Sequence, residues 1–253
     1  MLSSYNAPVS GNGSPNGAST WKLSIDDSAA GHKQTIDGFG AAVTDATVAV
    51  FNELPAAKLT ELLNNLMTSA GANFALLRHT IASSDLSADP SYSYDDNGGN
   101  VDTALSGFNL GDRGTAMAQL LARMKQLQPS LTILGSPWSP PGWMKLNGVI
   151  QGTTTNNNLN HAYVSQFAQY FVKYIKAYAN LGAPIDAITI QNEPLNSQAG
   201  MPTMYVYADE SGSLIQQNIG PALKSAGLTT GVWAYDHNTG MSYSLRNSPE
   251  DID

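Results

Sequence analysis

Five short apolar runs recur along the chain at intervals of roughly fifty residues, with helical periodicity between them. This alternation constrains the fold more than any other feature. The runs are Thr35–Val43, Asn73–Ala82, Leu131–Trp138, Ile185–Pro194 and Thr229–Asn238. Between them, Leu59, Leu62, Leu63 and Leu66 share one helical face, as do Met117, Leu120, Leu121, Met124 and Leu127. Val164, Phe167, Phe171, Tyr174 and Tyr178 mark a third helix. Leu214, Ile215, Ile219 and Leu223 mark a fourth, expected to be disturbed at Gly220-Pro221 because proline has no N–H and crowds the preceding turn. Strands separated by helices pair in parallel, so the spacing predicts successive βαβ units.

Eight such units would close a (β/α)8 TIM barrel, but at this spacing they would need on the order of 400 residues. The 253 residues therefore predict an incomplete barrel of about five units. Three regions are expected. Residues 1–20, rich in Gly, Pro, Asn and Ser, read as a flexible leader. Residues 21–34 contain Trp21–Asp26, which alternates like a half-buried strand. Residues 35–253 form the partial barrel.

Composition excludes several functions. The net charge is −8 and no Lys/Arg block occurs, so the basic footprint that nucleic acid requires is absent. With no cysteine there is no disulfide scaffold, thiol nucleophile or thiolate metal site. No apolar run reaches the ~18 residues of a transmembrane segment. Met1–Tyr5 lacks the basic start and apolar stretch of a secretion signal. Metalloprotease, nucleotide-loop and serine-esterase motifs are missing, so neither metal nor cofactor is expected.

In parallel α/β folds the chemistry sits where strands end and lead into helices. Those ends carry Asp45, then Arg78, His79 and Asp85, then Trp138 and Trp143, then Asn192 and Glu193, and finally Asp236 and His237. Acids, amides and indoles on one rim suit a sugar, which offers hydroxyls to the former and an apolar C–H face to an indole. Glu193 closes an apolar strand and is fixed by Pro194, as a general acid/base would be; a solvated strand-end carboxylate is the plain alternative. Asn192 either bonds a sugar hydroxyl or caps a turn. Trp138 is either a stacking platform or core filling. Arg78 and Asp85 either clamp hydroxyls or form one ion pair under the rim. His79 and His237 fit structural histidines better than ligands, although His237, with Asp236 and Trp143, stands among the candidate substrate contacts.

Five segments resemble glycoside hydrolase family 30, the family of glucosylceramidases and fungal endo-β-1,6-glucanases. They are IDGFGAAVTDA (Ile36–Ala46), LLRHTIASSDLS (Leu76–Ser87), GSPWSPPGWMK (Gly135–Lys145), ITIQNEPLNSQAG (Ile188–Gly200) and VWAYDHN (Val232–Asn238), in the family's order. The wording of the second and fourth is similar to the β-1,6-glucanase branch. The resemblance implies a barrel with a β-sandwich beside it, to which Trp21–Asp26 would belong, and retaining hydrolysis of a β-glucan or other β-glucoside outside the cell. It makes Glu193 the acid/base and Asn192 its partner. Asp85 and Trp138 match positions holding the non-reducing sugar, with Arg78 in the same shell. Met201 stands where relatives often carry an aromatic residue.

Retention needs a second carboxylate about 5–5.5 Å from the first. The family places it after the seventh strand, roughly a hundred residues beyond the acid/base, whereas 60 residues follow Glu193 here. Glu210 and Glu250 read as solvated charges, so no nucleophile is assigned. The expectation is that a five-strand chain, with two open edges, is poorly stable and inactive alone. A non-catalytic β-glucan binder is the alternative, and glucosylceramide is a second substrate class that the family admits.

Overall fold

The computed structural model describes residues 28–31, 34–196 and 198–238. The expected leader, the Trp21–Asp26 strand, Glu250 and the last residues lie outside them. Two compact units divide the chain, 1–37 and 38–253, and every named element belongs to the second. In the first, Ser28–Gly31 is a turn closed by the Gly31 amide on the Ser28 carbonyl at 2.9 Å.

Five strands form one sheet in the order β1-β2-β3-β4-β5, all neighbours parallel. They are β1 (Gly40–Val43), β2 (Leu76–Ile81), β3 (Thr132–Pro137), β4 (Ala187–Thr189) and β5 (Gly231–Trp233). Sequential order with helical crossovers is the signature of a β/α barrel, here with five of its strands described. Each strand is shorter than its apolar run. Ile185–Pro194 contributes three paired residues, because from Gln191 onward the chain leaves the ladder to build the rim.

Helices α2 (Ala56–Met67), α3 (Gly111–Leu127) and α4 (Val164–Asn180) follow the predicted periodicities. Leu59, Leu63 and Met67 are buried along α2, and Phe167, Phe171, Tyr174 and Tyr178 along α4. Full burial of such side chains stabilises the fold by about 1.5–3 kcal/mol each. Leu127 departs from the expected face: it is partly exposed at the helix end. Helix α1 (Asp45–Asn52) was not anticipated; its start is fixed by a capping box between Thr44 and Thr47. The expected disturbance near Pro221 takes a definite form. Between α5 (Ala208–Ser213) and α6 (Gly220–Ser225), Leu214–Ile219 adopts a π-helical turn, a wider coil where the following proline withholds its N–H.

The polar loop Ser87–Asn100 sends a side chain into the core. Tyr94 is driven into the core, where its hydroxyl meets that of Tyr178 at 2.7 Å and its amide donates to the Tyr170 hydroxyl at 3.0 Å. His79 completes this cluster from β2. Its Nδ1 lies 3.0 Å from the Thr80 carbonyl and must carry the proton, so Nε2 accepts from the Tyr174 hydroxyl at 2.5 Å. Complete burial holds the imidazole neutral, with a pKa lowered to about 3. A side chain at Gly135 would collide with the Tyr174 hydroxyl, which explains the glycine in that apolar strand. His79 is thus structural, as read from the sequence.

Candidate active site

One carboxylate oxygen gathers three strands. Asp236, just beyond β5, accepts through Oδ2 from Arg78 Nη2 of β2 at 2.6 Å, Ser136 Oγ of β3 at 2.6 Å and Thr189 Oγ1 of β4 at 2.9 Å. The two hydroxyl oxygens also lie in contact with each other. Arg78 Nη2 further reaches Asn192 Oδ1 at 2.6 Å and Ser136 Oγ at 3.1 Å. In a strand alternate side chains face opposite ways, so Arg78 turns to this cluster while Leu77 and His79 enter the helix-side core. Ser136 and Thr189 were missed by sequence reasoning. Their signal was a lone hydroxyl in each of two apolar strands.

Of the two readings open for Arg78 and Asp85, their ion pair is not formed: Arg78 pairs instead with Asp236, and these two side chains are about one-quarter and one-fifth exposed. Asp85 is exposed, and no hydrogen bond joins it to another described residue. Asp85 thus stands outside this cluster, while Arg78 holds Asp236 and Asn192.

Trp138 lies under Arg78, with the guanidinium carbon 5.0 Å from the ring centroid. It is only 8% exposed. Its carbonyl accepts from Gln191 Nε2 at 2.6 Å, and the same amide nitrogen reaches the Asn192 carbonyl at 3.0 Å. The Asn192 amide in turn donates to the Pro137 carbonyl at 2.7 Å. Gln191, not singled out in the sequence, thereby ties the ends of β3 and β4 together.

Glu193 occupies the left-handed region, with φ of 43°, a conformation a non-glycine residue adopts only when its surroundings impose it. The constraint is visible: its amide donates to the Asp236 carbonyl at 2.8 Å, and Pro194 follows. Its Oε2 accepts from Asn196 Nδ2 at 2.8 Å. The carboxylate is thus half-buried and oriented, and its other oxygen makes no hydrogen bond to another described side chain.

Three of the residues read onto the rim, Trp143, His237 and Asp45, take no part in this hydrogen-bonded cluster. Trp143 is buried at 5% exposure, its indole N–H donates to the Asp95 carbonyl at 2.8 Å, and its ring meets Tyr163 edge-on. Its indole is packed against that loop, so it offers no open stacking face. His237 stacks on Tyr235 at 6.1 Å, and its Nδ1 accepts from the Asn238 amide. Asp45 is bound to Arg113 and to the Ser87 hydroxyl, away from the cluster. Met201 lies beside the loop strands, its carbonyl accepting from Gly152. No group of three or more His, Cys, Asp or Glu able to hold a metal occurs among the described residues.

A parallel β/α barrel whose strand ends gather an oriented glutamate, an amide and an arginine–aspartate pair defines the class of barrel glycoside hydrolases. The model of the glycosyl hydrolase family 30 TIM-barrel domain matches residues 36–239, and the chain belongs to that family. It is 74% identical over 238 residues to the endo-1,6-β-D-glucanase of Neurospora crassa, covering 94% of this chain and 50% of the relative. It is 69% identical over 249 residues to endo-1,6-β-D-glucanase neg1 of Aspergillus fumigatus, covering 94% and 51%. Among solved structures it is similar to the endo-β1,6-glucanase BT3312, with a TM-score of 0.73 and 29% identity over 86% of this chain and 46% of that one. The chain spans about half the length of these relatives.

Proposed function

We propose that this chain carries the acid/base side of a retaining β-1,6-glucan hydrolase, with Glu193 as the proton donor and acceptor. The observation that carries this reading is the imposed left-handed geometry of Glu193, locked by Asp236 and Asn196 beside Asn192. The high identity to endo-1,6-β-glucanases favours the β-1,6 linkage. In the first step Glu193 protonates the glycosidic oxygen; in the second its carboxylate takes a proton from the attacking water. Asn192, oriented by Arg78, donates to the sugar hydroxyl nearest the reacting carbon. Asp85 and the indole of Trp138 hold the non-reducing sugar. Trp143 acts only through the loop it packs against, and His237 through the backbone it steadies beside Asp236.

The second carboxylate is not assigned to any described residue. Asp236 Oδ2 accepts three donors, one of them cationic, which stabilises the anion and makes it a poor nucleophile. The β-sandwich beside the barrel and action outside the cell belong to the same proposal, since a polymeric glucan does not cross a membrane. No helix of the described residues is long and apolar enough to span one.

The test is reducing-sugar release from β-1,6-glucan by the 253-residue chain, with Glu193→Gln alongside. Because no second carboxylate is assigned among the described residues, release by this chain would need a nucleophile from elsewhere; where release occurs, a loss of roughly 10²–10⁴-fold in the variant is expected, the range for removing a general acid/base. Release unchanged by the substitution would overturn the assignment of Glu193. Binding without release from either would leave a glucan binder.

A further inference from the structure

The sequence reading left Glu210 as a solvated charge, but only 13% of its side chain is exposed, and its Oε1 lies 3.1 Å from His161 Nε2. The pair sits in a groove of about 450 Å³ whose walls include Leu146, Asn158, Tyr207 and Asp209. Both flanking segments belong to the loops that leave β3 and β4, on the same face as Glu193. The loops are joined at Gln151–Pro202, Gly152–Ala199 and Asn158–Tyr205 by isolated backbone bridges. Lys145, buried between them, donates its three N–H groups to the carbonyls of Ile150, Gln151 and Thr203 at 2.8–3.2 Å. The groove is therefore held before any ligand arrives.

Its chemistry is selective. Tyr207 is 48% exposed and its ring is stacked on Tyr205 with an interplanar angle of 8°, so an open aromatic face is backed by a second ring. Leu146 extends the apolar floor. The half-buried Asn158 amide makes no side-chain hydrogen bond to another described residue. Two carboxylates and one histidine, already paired to one of them, disfavour an anionic ligand. An apolar face bordered by amides and acids is what a neutral sugar requires, as at the main site. The groove is also tied to that site through the backbone: the Val206 amide donates to the Pro194 carbonyl at 2.9 Å. The Cα atoms of Tyr207 and Glu193 thus lie within about 15 Å by chain geometry.

We propose that this groove is a second glucan-binding site, engaging neutral β-linked glucose units of the same polymer beyond those held at Glu193. It rests on the reading of the protein as a β-glucan hydrolase. Its function is to retain long chains, so it acts on polymer and not on short oligosaccharides.

The experiment measures binding of soluble β-1,6-glucan and of a β-1,6-linked glucose trisaccharide to the full chain, by affinity electrophoresis and calorimetry. Tyr207→Ala is expected to weaken polymer binding about five- to tenfold and leave the trisaccharide unchanged, while Tyr207→Phe matches wild type. Polymer binding as tight in Tyr207→Ala as in wild type overturns the groove and leaves the enzyme reading intact. So does equal weakening of both ligands. Wild-type protein that binds neither ligand overturns the enzyme reading and the groove with it. Should Tyr207→Ala not fold, Asn158→Ala makes the same comparison, with a two- to threefold loss expected on the polymer alone.

Discussion

Two polar networks flank β2, one on each face, and they are built on opposite terms. On the helix side, His79 and the tyrosines 94, 170, 174 and 178 are fully enclosed, neutral and bonded to one another. On the other side, Arg78, Asp236 and Asn192 are charged or strongly polar, partly exposed, and held by hydroxyls of neighbouring strands. Burial selects the uncharged form of every titratable group in the first; partial exposure lets the second keep its charges. The closed network lies wholly within the core, and the open one leaves charged and polar atoms partly exposed near the strand ends. Adjacent residues of one strand, 78 and 79, therefore serve different ends because their side chains leave by different faces.

The largest effect expected from this contrast is on acid stability. His79 has an ordinary pKa of 6.5 when unfolded and about 3 when folded, so between these values the unfolded chain binds the extra proton. Stability conferred by the neutral imidazole is complete above pH 6.5 and is lost as pH falls toward 3, by up to about 1.4 kcal/mol per pH unit. Asp95, whose pKa is raised to about 6 by burial and then by the Asp102 charge, contributes with the opposite sign between its ordinary value and 6. Chemical denaturation from pH 7 to 4, with His79→Gln beside wild type, isolates the histidine. Equal slopes in both would show that the closed network tolerates charge.

Next in size is Gly135→Ala. The added methyl meets the Tyr174 hydroxyl, and a loss of about 1–3 kcal/mol is expected from forcing the tyrosine aside. Thermal unfolding reads it directly. In the open network Arg78→Met leaves Asp236 with two hydroxyl donors and no cation. Discounted for partial exposure, this costs about 1–2 kcal/mol and also lowers glucan affinity as Asn192 is released. A variant as stable as wild type yet unable to bind glucan would sharpen the contrast; one that loses stability alone would blur it. Smallest is Tyr178→Phe, which removes one buried hydroxyl pair and is expected to cost about 1 kcal/mol, without changing glucan binding.

Much of the architecture was legible along the chain, because burial on both faces writes a parallel strand as an apolar run and a surface helix as a periodic stripe. All five strands and the helices on Leu63, Met117 and Phe167 are recoverable that way, as are Glu193 and Asn192 at the end of their strand. Helix α1 was not, since Asp45–Asn52 mixes small and apolar residues without a clear stripe and depends on the Thr44 cap. What the sequence alone determined was the order of elements and that Asn192, Glu193 and Asp236 follow the ends of their strands; Trp143 and Asp45, read onto the same rim, are held elsewhere. The partners of those residues were decided only in three dimensions. Arg78 bonds Asp236, 158 positions away, and not Asp85, seven away, because parallel register brings separate strand ends together while the loop carries its near neighbour outward. The same cause buries Tyr94 and Trp143, opens Asp85, and turns Glu210 from a surface charge into the wall of a groove. Periodicity records which face of its own element a side chain takes; only packing decides what it meets there.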